Sequence, residues 1–290
     1  MDIEVEEKKT TELKRKCGRY LTHLIAETSP YLSLENVVTD GEQVFATCRR
    51  EQYRYGESGT YSISEVTRVM ALQGALAAAL KNPAIRKHYY LASKGNFSWS
   101  NTSNLLPHSD EFLLISRAVD EISRSGTVNV EVELMTCHGQ LYTRLKCRYY
   151  VLDEDNFFKA YGKLQSHRTN IKNPYQDPRR LENIAPLKDQ SGFEATLGEY
   201  KEYEVTGHFD TRPLIPISIL GSNLIGLLEE YEDLQGIQAK DLKFWCTRTC
   251  EISEKPTLTC RRTNKTDFDL AVLDKERKPF LKAKLSLQSN

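Results

Sequence analysis

Two stretches of this chain are apolar on almost every helical face, and each is followed by segments in which apolar and polar residues alternate. Residues 66–80, VTRVMALQGALAAAL, are rich in Ala and Leu, broken by Gly only at Gly74, and nearly uncharged after Arg68. That composition predicts a helix, and a helix apolar on nearly every side must be buried on nearly every side. Ser64 is the predicted N-cap, and Asn82-Pro83 ends the run. Strands are predicted at 113–121, 127–135 and 140–151, with turns at Ser-Arg-Ser-Gly and at His138-Gly139. The segment TVNVEVELM at 127–135 has the period of two expected of a sheet with one wet face.

The same order recurs further on. Residues 214–228, LIPISILGSNLIGLL, form a second apolar segment of helical length, and strands are predicted at 256–262, 266–273 and 279–287. A leading strand is predicted before each helix, at 42–49 and at 198–206. Between the halves, 164–194 is polar, carries three prolines and has no clear period, so it reads as a connector draped over the surface. The boundaries implied are 1–163 with a leading charged helix, the connector 164–194, and 195–290. One buried helix with antiparallel strands before and after it implies an α+β unit in which a curved sheet wraps the helix, present twice.

Charge and cysteine content narrow the function classes. The 290 residues carry 40 Lys+Arg and 40 Asp+Glu, so the net charge of zero lacks the basic excess of a nucleic-acid binder. No uninterrupted apolar run approaches the roughly 18 residues of a membrane span, and the charged start has no secretory core. No membrane association is therefore expected. The seven scattered cysteines read as free thiols in a reducing cytoplasm. Cys246 and Cys250 lie four apart without the second half of a zinc site, and nothing points to a metal or other cofactor. Phosphate-loop, dinucleotide and nucleophile-elbow signatures are absent. The basic run at 255–265 reads as a solvated sheet edge.

The segment GHFDTRPLIPISILGSNL, 207–224, resembles the loop and central helix of hotdog-fold 3-hydroxyacyl-acyl-carrier-protein dehydratases. Their pattern runs His-Phe-Pro-x-x-Pro-x-x-Pro-Gly, with an acid later in the helix. His208, Phe209, Pro213 and Pro216 match it, while Asp210 and Ile217 replace the first Pro and the Gly. The acid position, fourteen residues after the His, holds Ser222. In the first half, a register set on Gln73 places Tyr55 at the His position and Val69 at the acid position, with Glu65 one turn earlier on the same face. The whole chain resembles a tandem, or double, hotdog protein of the dehydratase and acyl-thioesterase superfamily.

That resemblance implies an active site between the two helices and an acyl thioester substrate carried by coenzyme A or an acyl carrier protein. His208 would be the general base and Glu65 the carboxylate facing it. The N–H of Ile217, after Pro216, would polarise the thioester carbonyl. Each assignment has an ordinary counterpart. Glu65 suits a first helical turn through the helix dipole. Ser222 and Asn223 either bond backbone within the helix or orient a water or carbonyl. Arg212 either pairs with Asp210 or meets carrier phosphates, and Tyr55 either lines an acyl pocket or packs in the fold. His23, His88, His108, His138 and His167 have no comparable frame.

The expectation is a 3-hydroxyacyl dehydratase or the reverse hydratase. An acyl thioesterase and a non-catalytic acyl-binding or scaffolding protein are the alternatives. Two units in one chain allow either a monomer with pseudo-dimeric halves or a homo-oligomer.

Overall fold

The computed structural model describes residues 17–53, 55–57, 61–100, 111–163, 173–209, 211–231, 233–234 and 236–288. Helical residues 17–24 (α1) lead into β1 (Leu34–Thr39), β2 (Gln43–Arg49) and α2 (Ile63–Lys81). They are followed by β3 (His88–Trp99), β4 (Glu111–Ala118), β5 (Thr127–Thr136), β6 (Leu141–Asp153) and α3 (Glu154–Tyr161). The second half holds β7 (Leu181–Pro186), β8 (Gly192–Leu197), β9 (Leu214–Ile215), α4 (Ile217–Leu228), β10 (Ala239–Cys246), β11 (Cys250–Glu251), β12 (Thr257–Arg262), β13 (Asp267–Leu273) and β14 (Pro279–Leu287).

Twelve strands form one antiparallel sheet in the order β1-β2-β4-β5-β6-β3-β10-β14-β13-β12-β8-β7. The order is its own mirror: six strands of the first half meet their six counterparts at the β3–β10 seam, and α2 and α4 pack together inside the curve. Backbone pairing across the seam runs from Asp241↔Ser98 to Trp245↔Lys94. The larger apolar cluster spans both halves, from Val66, Met70 and Leu76 of α2 to Leu220 and Leu224 of α4 and Phe244 of β10. This is the predicted duplication of a helix wrapped by a sheet, the double-hotdog architecture.

α2 runs from 63 to 81 and is buried on nearly all sides, as its composition requires. By length and composition it could cross a bilayer, but here it is the core helix of the first half. Its N-cap is Ser62, two residues before the predicted Ser64, because the Ser62 hydroxyl accepts from the Glu65 N–H at 3.1 Å. Each fully buried Val, Leu or Met on it contributes roughly 1.5–3 kcal/mol.

Several strands differ from the sequence reading. Residues 198–206 are a loop and a 3-10 turn, and the leading strand of the second half is β8, before them. β7 and the start of β8 lie inside 164–194, where the alternation is obscured by a register shift between Glu182 and Ala185. β3 was hidden by a bulge between Ala92 and Lys94 that breaks its period. β12 is paired on both sides, so 255–265 does not form a sheet edge.

Candidate active site

A cavity of about 260 Å³ lies between α2, α4 and the inner face of the seam. Most of its wall is apolar, including Leu72, Phe97, Leu145, Leu224, Phe244 and Phe280. Glu27, Tyr31, Ser64, Arg68, His208 and Ser218 also line it, so charge and hydroxyl groups from four segments share an otherwise oily enclosure.

His208 reaches the cavity through a tight backbone junction. Gly207 has φ +88, and a Cβ there would lie 2.4 Å from the Thr28 carbonyl oxygen, so only glycine allows this approach. The Thr28 N–H donates to the Gly207 carbonyl at 2.8 Å, which ties the residue after Glu27 to the residue before His208. Phe209 follows at φ +58, a left-handed conformation costly for an aromatic residue. Its ring is held at 5.4 Å from Tyr89 and from Phe157, within an apolar cluster that also contains Ala26 and Leu214. The local strain is therefore borne by packing, and it aims His208 inward.

His208 Nδ1 lies 3.0 Å from the Leu214 carbonyl oxygen, which can only accept. Nδ1 therefore carries the proton, and in the neutral ring the basic lone pair is on Nε2. The Tyr31 ring packs edge-on against the imidazole with centroids 4.7 Å apart.

Two ionisable groups, Glu27 and Arg68, act on Tyr31. Glu27 is 4% exposed, and its Oε2 has no hydrogen-bond partner among the described residues. Burial pushes its carboxyl up to about 7, against the pull of the Glu27 and Ala26 backbone N–H groups and the Lys87 charge. Arg68 is 3% exposed; its Nη2 donates to Glu51 Oε2 at 2.6 Å, and its Nη1 has no hydrogen-bond partner among the described residues. The guanidinium also lies 5.2 Å from the centroid of Tyr175. Burial raises Tyr31 to about 12, with the Ser218 hydroxyl and Arg68 acting in the opposite sense.

The structure separates the residues singled out from the sequence. Ile217 lines the cavity as the first residue of α4, after the N-cap Pro216, where helix N–H groups have no intrahelical acceptor. Glu65 does not line it. Its Oε1 instead accepts the N–H of Glu51 and of Gln52 at 2.5 and 3.0 Å, and burial raises it to about 7. Ser222 is buried on α4 away from the cavity.

Asn223 is a fastener. Its Oδ1 accepts from the Arg180 N–H at 2.6 Å, and its Nδ2 donates to Pro178 O, Tyr200 Oη and Ile219 O. Arg212 pairs with Glu251, and Asp210 lies outside the described residues. Tyr55 is also outside the cavity, bonded to Asp177 Oδ1 at 2.5 Å beneath the Arg179 guanidinium.

Glu27, Tyr31, Arg68 and Ser218 were not found from sequence. Glu27 and Tyr31 sit in ETSPY, a segment with no motif, and only the docking of the 207–209 loop onto it makes them part of the site. Arg68 did carry a signal, because it is the one cation inside a helix otherwise buried by its apolar residues.

No family model matches the chain, and no curated protein matches it. Solved structures do. An acyl-ACP thioesterase from Bacteroides thetaiotaomicron superposes with a TM-score of 0.54 at 10% identity, covering 85% of this chain and 98% of that one. The 12:0-ACP thioesterase from Umbellularia californica gives 0.52 at 10% identity, over 86% and 98%. An acyl-CoA thioesterase II from Mycobacterium marinum gives 0.51 at 11% identity, over 90% and 97%. These likenesses span both halves and show a double-hotdog fold.

Proposed function

We propose that this protein is an acyl-thioester enzyme, and that it hydrolyses the thioester. The observation that carries the proposal is the combination of His208, buried Glu27 and buried Arg68 on one apolar cavity between the two central helices. An acyl chain is the ligand such a wall suits. The thioesterase neighbours, each matched over nearly its whole length, favour hydrolysis as the reaction. The carrier is coenzyme A or an acyl carrier protein, as in the names of those neighbours. Seven free thiols suit a reducing compartment.

In this reading His208 Nε2 takes a proton from water as the water oxygen bonds to the carbonyl carbon. The oxyanion is met by the Arg68 Nη1–H and by the first-turn N–H of Ile217. Glu27, held neutral up to about pH 7 by burial, gives its proton to the departing sulfur as the C–S bond breaks. Glu65 anchors the 51–52 backbone to the start of α2 and lies 4.0 Å from Arg68 Nη2, so it acts on the site through position and through its charge beside that guanidinium. Ser222 and Asn223 are assigned to the frame rather than to water.

A second reading keeps the same pair. His208, Phe209, Pro213 and Pro216 preserve the dehydratase loop pattern, so His208 would remove the C2 proton and Glu27 would protonate a departing C3 hydroxyl. A panel of saturated, 2-enoyl and 3-hydroxyacyl thioesters on both carriers separates the two by mass spectrometry. Release of free thiol and acid, lost in His208→Ala, is the expected result. Interconversion of enoyl and hydroxyacyl species would replace hydrolysis by the second reading. An unchanged panel would leave an acyl-binding protein without chemistry.

A further inference from the structure

The outer face of the seam carries a charge pattern that folding alone does not favour. Strand alternation sends Phe97, Leu145 and Phe244 into the cavity and Asn96, Lys146 and Lys243 to the opposite face. Register then builds two rows on that outer face. One runs Asn129–Arg148–Lys94–Trp245–Lys282, and the next runs Glu131–Lys146–Asn96–Lys243–Lys284–Asp269. Arg148 stands directly opposite Lys94, and Lys243 opposite Lys284. Like charges placed opposite each other across strands are destabilising, and this face has one such pair in each of two adjacent rows, in a chain of zero net charge.

A groove of about 460 Å³ opens here, bordered by Lys94, Asn96, Glu131, Arg148, Lys243 and Trp245. Trp245 is 40% exposed, with Lys94 opposite it on one side and Lys282 on the other. Asn96 Oδ1 is buried in the groove without a hydrogen-bond partner among the described residues. Lys146 and Lys284 are tied to Glu131 and Asp269 at 3.1 and 3.9 Å, whereas Lys94, Lys243 and Lys282 have no carboxylate partner among the described residues. The adjoining row holds Glu133, Asp241 and Asp267, so carboxylates limit the basic field on three sides.

We infer that this groove binds a compact aromatic polyanion, a nucleotide polyphosphate, with its base on Trp245 and its phosphates among Lys94, Arg148 and Lys243. The carboxylate border argues against an extended nucleic-acid backbone or a broad acidic protein surface, which would have to cross it. An exposed tryptophan beside cations supplies the stacking platform that a base uses. The groove lies on the face of the sheet opposite the His208 cavity, so the inference stands independently of the reaction proposed there.

The test is titration of the full chain with ATP, followed by tryptophan emission and by calorimetry, with adenosine and inorganic triphosphate as partial ligands. ATP is expected to quench Trp245, and inorganic triphosphate to compete. The Lys94→Glu/Lys243→Glu double variant should weaken binding about tenfold or more while keeping or raising the melting temperature, since it removes both like-charge pairs. Trp245→Phe should lose the emission change and weaken ATP more than inorganic triphosphate. Absence of ATP binding, or ATP binding unchanged in the double variant, would overturn the site. Equal binding of ATP and inorganic triphosphate with no effect of Trp245→Phe would overturn the base-stacking assignment, and tighter binding of an RNA oligomer or a poly-glutamate peptide would overturn the choice of ligand.

Discussion

Substituting Glu27 by Gln should make the protein more stable and less active at once. In the native state burial holds this carboxyl at about 7, against an ordinary value of 4.5. Between those two values the folded chain binds the proton and the unfolded chain has released it. Stability therefore falls as pH rises through that window. Toward pH 4 both states are mostly protonated, and ionisation costs little. At pH 8 both are ionised, and the folded state carries the full penalty, about 3 kcal/mol at 1.36 kcal/mol per pH unit.

Gln has the same shape and no charge to desolvate, so Glu27→Gln should recover most of that at pH 8 and little at pH 4. The corresponding rise in melting temperature at pH 8 is roughly 6 °C. The assay is thermal unfolding of wild type and variant across pH 4–8, with thioester turnover measured on the same samples. Turnover should fall by about a hundredfold or more, the ordinary range for losing a proton-transfer group. A variant less stable than wild type at pH 8, or one with undiminished turnover, would refute the argument that Glu27 is a desolvated carboxyl held for chemistry.

Other consequences are smaller in scope. Gly207→Ala should destabilise by roughly 2 kcal/mol or more in chemical denaturation, through its positive φ and the contact with Thr28, and turnover should fall with it. Asn223→Ala should cost roughly 3 kcal/mol by stranding the partners at Pro178, Arg180 and Tyr200, while turnover per folded molecule stays near wild type. Phe244→Leu should cost roughly 1–2 kcal/mol and shift the chain-length profile toward longer acyl groups, because the ring closes part of the cavity wall.

The fold was legible wherever a residue's surroundings follow from its own segment. The all-round apolar helix at 63–81 and the alternation at 127–136 could have only one kind of environment, and both are where the periodicity puts them. β3 and β7 escaped because a bulge or register shift resets the alternation partway along each strand. The candidate cavity was half legible. His208 stood in a recognisable frame, and its loop does deliver it to the cavity between the helices. Glu65, the only acid near the predicted helix, turns instead to the 51–52 backbone. The cavity's carboxyl comes from Glu27, placed there by a backbone contact between residues that are 179 positions apart, Thr28 and Gly207. No local pattern encodes that contact, apart from the glycine needed to allow it.

The most direct test of the central claim is to run the reaction in heavy-oxygen water and locate the label by mass spectrometry. Wild-type protein acting on an acyl thioester should place the heavy oxygen in the carboxylate of the released acid, and His208→Ala should place none. Label found at a C3 hydroxyl with the thioester intact would contradict hydrolysis and establish hydration at the same site.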